Sequence, residues 1–252
     1  MKILLTNDDG YDAPGILAVA KELQREHEVV LAAPSEQKSA SGHGITIRKP
    51  LLVKEVKLQG FHGKAYSING TPADCVRVAI DKLTEGQVDI VVSGINYGPN
   101  LGTDVLYSGT VSAAIEASMY KLPSIALSLN ITDDFQDFSI AAKISKDIIE
   151  RAAEKNLEGD VVLSVNFPGL PENKIRGIKV CKVGAKSYTN SYVPLREEMG
   201  GIVYELRDEL IDIHHEDTDT FFLKDGYITI SPLQYDLTNF NLMKEVEKWY
   251  KK

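Results

Sequence analysis

Residues 3–34, ILLTNDDGYDAPGILAVAKELQREHEVVLAAP, decide the fold. Ile3-Leu4-Leu5-Thr6 is a short apolar run without alternation, as in a strand buried on both faces. Pro14-Gly15 then opens a helix, with Ile16, Val19, Ala20 and Leu23 at helical spacing. Val29 to Ala33 is a second buried strand, stopped by Pro34. Strand, helix and strand within about thirty residues form a βαβ unit, which pairs its strands in parallel with a right-handed crossover.

The alternation continues outward. A polar loop, SEQKSASGHG at 35–44, precedes a β-rich stretch expected from Ile45 to Val56. Thr71-Pro72-Ala73-Asp74 reads as a helix start, with Thr71 as N-cap, Pro72 as first residue and Asp74 reaching back as in a capping box. Val76, Ala79, Ile80 and Leu83 make its stripe. Val88 to Ser93 is a third buried strand, followed by a glycine-rich loop from Gly94 to Gly109. Thr110 is expected to cap the next helix, whose inner face is Val111, Ala114, Ile115, Ser118 and Met119. Ser124–Leu129 and Asp160–Asn166 read as strands flanking a helix at about 138–155. After Pro168 the pattern changes. Ile178–Val183, Ile202–Leu206 and Tyr227–Ser231 look like strands without helices between, and an amphipathic helix closes the chain from about Asn241. The expectation is an α/β fold: a three-layer, Rossmann-like, mostly parallel sheet with helices on both faces. It is read as one domain over 1–252, with a core to about 168 and an antiparallel, β-rich extension over about 169–252.

Acidic residues number 36 and basic residues 28, a net charge of −8. Such a surface repels a phosphate polymer, so binding to DNA or RNA in general is not expected, while a small phosphorylated ligand in one pocket is compatible with it. Cys75 and Cys181 are isolated, which leaves no zinc ribbon and no redox motif. The opening MKILLTNDDG turns acidic too soon for a signal peptide, and no run of about 18 apolar residues spans a bilayer. The expectation is a soluble, cytoplasmic protein without membrane contact.

In an open parallel sheet, ligands bind beyond the carboxyl ends of the strands. There this sequence places Asn7-Asp8-Asp9-Gly10, then residues 35–44, then Gly94 to Gly102, and last Ser108-Gly109-Thr110. Two adjacent carboxylates repel unless a cation or protons intervene. With no His or Cys nearby in sequence, Asp8 and Asp9 point to a hard divalent ion. They read equally well as a turn in which Asp caps the following helix. Ser108-Gly109-Thr110 can cradle an anion at a helix N-terminus, or simply cap the helix. Asn96 offers an oxygen to a metal or an NH₂ to a phosphate, or is a turn residue beside Gly98. His43, between two glycines, reads as a loop residue, His214-His215-Glu216-Asp217 as a solvated acidic loop, Cys75 as core and Asp74 as a cap.

Walker and dinucleotide-binding glycine motifs are absent, as is a Gly-x-Ser-x-Gly elbow. A haloacid-dehalogenase-like phosphatase wants Asp two residues after its nucleophile, where this chain has Gly10. A receiver domain wants Asp at the third strand end, where Ser93-Gly94 stand. The ordered set TNDDG at 6–10, APSEQKSASGHGIT at 33–46, NGTPADCV at 69–76, VSGINYGPNLG at 92–102 and YSGTVSAAIE at 107–116 instead resembles the stationary-phase survival protein SurE family, as does GYITISPLQYDLT at 226–238. Those proteins are metal-dependent phosphatases of nucleoside monophosphates.

The resemblance implies one divalent cation per subunit, Mg²⁺ or Mn²⁺, held by Asp8, Asp9, Ser39 and Asn96. It implies a phosphate site at Ser108, Gly109 and Thr110, to which Asn96 also contributes. The catalytic set is then Asp8, Asp9 and Asn96, with Asp8 the candidate general base or, alternatively, nucleophile. The expected activity is 5′-nucleotidase, with 3′-nucleotidase and exopolyphosphatase as further candidates. A non-catalytic nucleotide sensor using the same pocket is the competing expectation. The expected assembly is a homodimer or homotetramer that exchanges C-terminal elements. The chain departs from the family where Ser39-Ala40 replaces the frequent Ser-Gly, and from Gly177 to Tyr192, where Lys186 stands in place of a common Arg.

Overall fold

The computed structural model describes residues 1–155, 157, 160–185, 187–188, 191–207, 210–211 and 215–251. Lys186 and His214 lie outside them. The first half contains β1 (Lys2–Thr6), α1 (Pro14–Leu23), β2 (Glu28–Pro34), β3 (Val53–Val56), β4 (Lys64–Ile68), α2 (Pro72–Val78), β5 (Ile90–Tyr97) and α3 (Gly109–Met119). The second half contains β6 (Ser124–Leu129), α4 (Ser139–Glu154), β7 (Val162–Phe167), β8 (Ile178–Val180), β9 (Ser187–Tyr188), β10 (Ser191–Glu198), β11 (Gly201–Arg207), β12 (Leu210–Ile211), α5 (Asp219–Lys224), β13 (Ile228–Leu233) and α6 (Phe240–Tyr250).

Nine strands form one sheet in the order β3-β4-β2-β1-β5-β6-β7-β13-β8. From β4 through β7 all neighbours are parallel. β3 runs antiparallel to β4 and β13 antiparallel to β7. The α/β expectation is met: a mostly parallel sheet with helices on both faces. Alternation along β1 explains the layers, because successive side chains point to opposite faces. Ile3 and Leu5 pack with Ile16, Val19 and Leu23 of α1 and Ile148 and Ile149 of α4. Leu4 packs with Cys75 and Val76 of α2 and Ala113 and Ala117 of α3. Among the described residues, no helix is long and apolar enough to cross a membrane.

The α2 start forms as its sequence demands. Thr71 Oγ1 accepts the Asp74 N–H at 3.1 Å, and Asp74 Oδ2 accepts the Thr71 N–H at 3.0 Å. Asp74 Oδ1 also accepts the Thr46 N–H at 2.9 Å.

Several expectations need correction. The stretch from Ile45 is strand only over Val53–Val56. The Thr46 N–H is taken by Asp74, and Pro50 has no N–H to offer a ladder. β4 carried too weak a signal, because Ala65 and Ser67 are small. β5 does not stop at Ser93. It continues through Asn96 and Tyr97, which pair with Ser128 and Leu129 after a register shift. Ser108, not Thr110, caps α3, accepting the Val111 N–H at 3.1 Å. Met119 lies exposed rather than on the inner face. Beyond Pro168, β13 joins the main sheet and β8 pairs parallel to it, so that part is not purely antiparallel. The strand expected over Ile178–Val183 ends at Val180, and the short α5 falls where no helix was expected. β10 and β11 form a separate antiparallel pair, as do β9 and β12.

Candidate functional site

After β2 the chain moves outward to β4 and β3, then returns to β5 on the other side of β1. The strand order therefore reverses between β1 and β5. That reversal opens a crevice at the carboxyl ends of these two strands, where open α/β sheets place their ligands. Asp8 and Asp9 follow β1, and Asn96 is the penultimate residue of β5.

The turn after β1 is built by Asn7. Its Nδ2 donates to the Gly10 carbonyl at 2.8 Å, and its Oδ1 accepts the Gly10 N–H at 3.2 Å. Neither aspartate caps α1, whose N-cap is Ala13 without a side-chain bond. The turn and the cap therefore do not use the carboxylates. Asp9 Oδ2 accepts the Tyr97 N–H at 2.8 Å, and its Oδ1 accepts from Gln37 at 3.3 Å. Asp8 Oδ1 accepts the Thr110 hydroxyl, and the Asp8 carbonyl accepts the Lys38 N–H at 2.7 Å. The immediate neighbours of Asn96 and Ser39 are thus bonded to Asp9 and Asp8 respectively.

Gly109 allows this closeness. A Cβ there would lie 2.7 Å from Asp8 Cβ, 2.8 Å from Asp8 Oδ2 and 3.0 Å from Ser41 Oγ. Only glycine lets the first turn of α3 sit against that carboxylate. Ser41 Oγ is buried without a hydrogen-bond partner.

Asp8 is 4% exposed. Burial pushes its carboxyl up to about 6; the Thr110 hydroxyl opposes the shift and the charge of Asp9 adds to it. Burial also raises Asp9, against the bonds from Tyr97 and Gln37. A cation between the two would remove this penalty. Asn96 donates its NH₂ to the Gly98 carbonyl at 2.8 Å, which leaves its amide oxygen as the group to offer a cation. Ser39 is exposed on the loop. The donor set is all oxygen, with two carboxylates and two neutral groups. That composition suits Mg²⁺ or Mn²⁺, which bind through one or two carboxylates and keep waters for substrate to displace. Among the described residues, no cluster of three or more His, Cys, Asp or Glu offers a rival site.

Sequence reasoning missed Gln37, Ser41 and the Tyr97 N–H. A backbone donor leaves no trace in residue type, and Gln37 and Ser41 lie in an irregular loop. It also took His43 for an unattached loop residue, whereas His43 Nε2 lies 2.7 Å from Glu116 Oε2. A cleft of about 580 Å³ lies beside this pair, lined by Val105, Leu106, Ile115 and Leu237 among others, and none of Asp8, Asp9, Ser39 or Asn96 lines it. Its walls are mostly apolar.

Comparisons with known proteins give the family. The family model described as survival protein SurE matches residues 3–190. The chain is 50% identical over 250 residues to the 5′-nucleotidase SurE of Clostridium tetani, covering 99% of this chain and 100% of that protein. It is 46% identical over 254 residues to the 5′-nucleotidase SurE of Clostridium beijerinckii, covering 100% of each. The crystal structure of the SurE protein from Aquifex aeolicus superposes with a TM-score of 0.86 at 36% identity, covering 100% of each chain. Matched by the family model over most of its length and half identical to a protein of that name, the chain belongs to the SurE family.

Proposed function

We propose that the chain is a 5′-nucleotidase that hydrolyses nucleoside monophosphates with one divalent cation, Mg²⁺ or Mn²⁺, held by Asp8, Asp9, Ser39 and Asn96. The observation that carries the reading is a pair of adjacent carboxylates at the strand-order reversal, used neither for the turn nor for a cap, with Asp8 pressed against the first turn of α3. The name shared by its curated relatives supplies the substrate class.

When bound, the cation would neutralise phosphoryl oxygens and acidify a water. The residues do the rest. Asp9, fixed by Tyr97 and Gln37, and the Asn96 oxygen define where positive charge is held. Thr110 orients Asp8, which takes a proton from the attacking water as general base while the P–O bond to the nucleoside breaks and the departing oxygen is protonated from solvent; in the alternative, Asp8 attacks phosphorus with the same leaving group and water then hydrolyses the acyl phosphate. Ser108, Gly109 and Thr110, at the positive end of the α3 dipole, favour the phosphate at that point. Asn96 adds a contact to it.

Activity on 3′-monophosphates and short polyphosphates belongs to the same proposal, since all present a terminal phosphoryl group. So does a cytoplasmic location, and so does a homodimer or homotetramer built by exchange of elements from about 169–252. The apolar side chains exposed on β10, β11 and α6 support that assembly.

The test is phosphate release from AMP, GMP, their 3′ isomers and polyphosphate, with Mg²⁺ or Mn²⁺ and with chelator. Cation-dependent release from 5′-monophosphates is expected. Binding of AMP without release under every cation would make the protein a sensor instead.

A further inference from the structure

The segment Ser39 to Gly44 carries the proposed Ser39 ligand, yet little packing fixes it. Ser39, Ala40, His43 and Gly44 are exposed, and Ala40 and Gly42 take left-handed φ values of 53° and 55°. Backbone bonds tie the loop before and within this segment: Lys38 N–H to the Asp8 carbonyl at 2.7 Å and Gly42 N–H to the Tyr107 carbonyl at 3.0 Å. The side-chain anchor is His43, and what it grips is unusual.

Glu116 stands two turns along α3 from Gly109 and is 2% exposed. One carboxylate oxygen meets His43 Nε2 at 2.7 Å, and the other accepts from Arg77 Nη1 on α2 at 2.9 Å. Burial works against its charge, but the bonds from His43 and Arg77 outweigh it and hold the carboxyl below its ordinary range. A buried carboxylate is costly unless its oxygens are paired. Here the pairing joins three separate pieces: α2, α3 and the Ser39 loop. The helix that bears Glu116 is also the one whose first turn touches Asp8.

We propose that Glu116, gripping His43 and braced by Arg77, is a positioning residue that pins the Ser39 loop against the helix holding Asp8. None of the three is a ligand or a catalytic residue. They fix how far Ser39 stands from the carboxylates, and hence how tightly a cation is bound. The inference rests on the reading that Asp8, Asp9, Ser39 and Asn96 share a cation.

The test is calorimetric titration of Mn²⁺ alone into the full chain, without nucleotide, alongside melting curves. His43→Ala and Glu116→Gln are expected to raise the Mn²⁺ Kd about tenfold, the low end of the loss when the groups that orient a metal ligand are removed. His43→Gln, which keeps an N–H at similar reach, is expected to recover most of the affinity. With AMP, the Mn²⁺ activation constant rises while kcat at saturating Mn²⁺ stays within about threefold, because the reacting groups are untouched. Asp9→Asn, run in parallel, is expected to abolish binding. If Asp9→Asn loses Mn²⁺ while both latch variants bind within about twofold of the native chain and only melt earlier, the latch merely braces the fold and the proposal is overturned with the site intact. If Asp9→Asn binds like the native chain, the cation reading itself fails and the latch proposal goes with it.

Discussion

The carboxyl edge of the sheet buries polar groups, and the C-terminal third exposes apolar ones. Asp8 and Glu116 are almost fully covered, whereas Met199 is 102% and Leu237 86% exposed. α6 follows the amphipathic pattern expected from its sequence, yet buries none of its residues. Both arrangements oppose the usual sorting of side chains by water. At the sheet edge the cost is offset by named partners: Thr110 for Asp8, Tyr97 and Gln37 for Asp9, His43 and Arg77 for Glu116. On the reading given above, a cation completes that balance. For the apolar side chains exposed in the C-terminal third, such as Met199 and Leu237, the proposed balance is another copy of the chain. The lesson is that burial and exposure out of place point in different directions, the first to the proposed chemistry and the second to the proposed assembly.

The largest effect should come from breaking the first region at its centre. Asp8→Asn is expected to lower cation-dependent phosphate release from AMP about 10³-fold, since charge stabilisation and base are lost together and are worth several kcal/mol. Circular dichroism should remain native. Retention of full turnover would remove Asp8 from the chemistry.

A somewhat smaller effect follows from pH. The folded Asp8 carboxyl sits at about 6, against an ordinary value of 3.8. The fold therefore penalises the charged form. For the metal-free protein, the contribution of Asp8 is most favourable below pH about 4, is lost as pH rises toward 6, and is flat above; the full swing is about 3 kcal/mol. Melting curves of the native chain and Asp8→Asn, compared from pH 4 to 7, should diverge across that window. Added Mn²⁺ should raise the native melting temperature most at the upper end. Parallel curves would show that Asp8 titrates normally.

Next is Ala40, which has φ of 53°, a left-handed value that favours glycine. The left-handed conformation costs alanine about 1–2 kcal/mol, part of which glycine returns as unfolded-chain entropy. Ala40→Gly is expected to stabilise by up to about 1 kcal/mol in urea unfolding. A loss of stability would mean that the loop does not hold that conformation.

The smallest effect on the protomer should come from the second region. Leu242→Glu with Trp249→Glu on α6 alters only exposed residues, so monomer stability should change by no more than about 0.5 kcal/mol. Light scattering should nonetheless show smaller particles. An unchanged particle mass would separate α6 from the assembly.

Much of the fold could be read from residue pattern alone. β1 and β2 are unbroken apolar runs, α1 carries its apolar residues at helical spacing, β6, α4 and β7 continue the alternation, and the capping box at Thr71 is local chemistry. What escaped was tertiary in origin. β5 runs on past Gly94 because β6 offers Ser128 and Leu129 as partners, which no propensity records. β4 is a strand because β2 pairs with it. At the site, Asp8 and Asp9 stood out as a bare acidic pair, while the donors that hold them come from elsewhere in the chain. His43 was passed over because its partner lies 73 residues away.

The central claim, one cation shared between the β1 and β5 strand ends, is tested most directly by titrating Mn²⁺ into the native chain and into Asp9→Asn with Asn96→Ala. The account predicts one saturable site per native chain and none in the double variant, with both proteins folded. Equal binding by the two would contradict it.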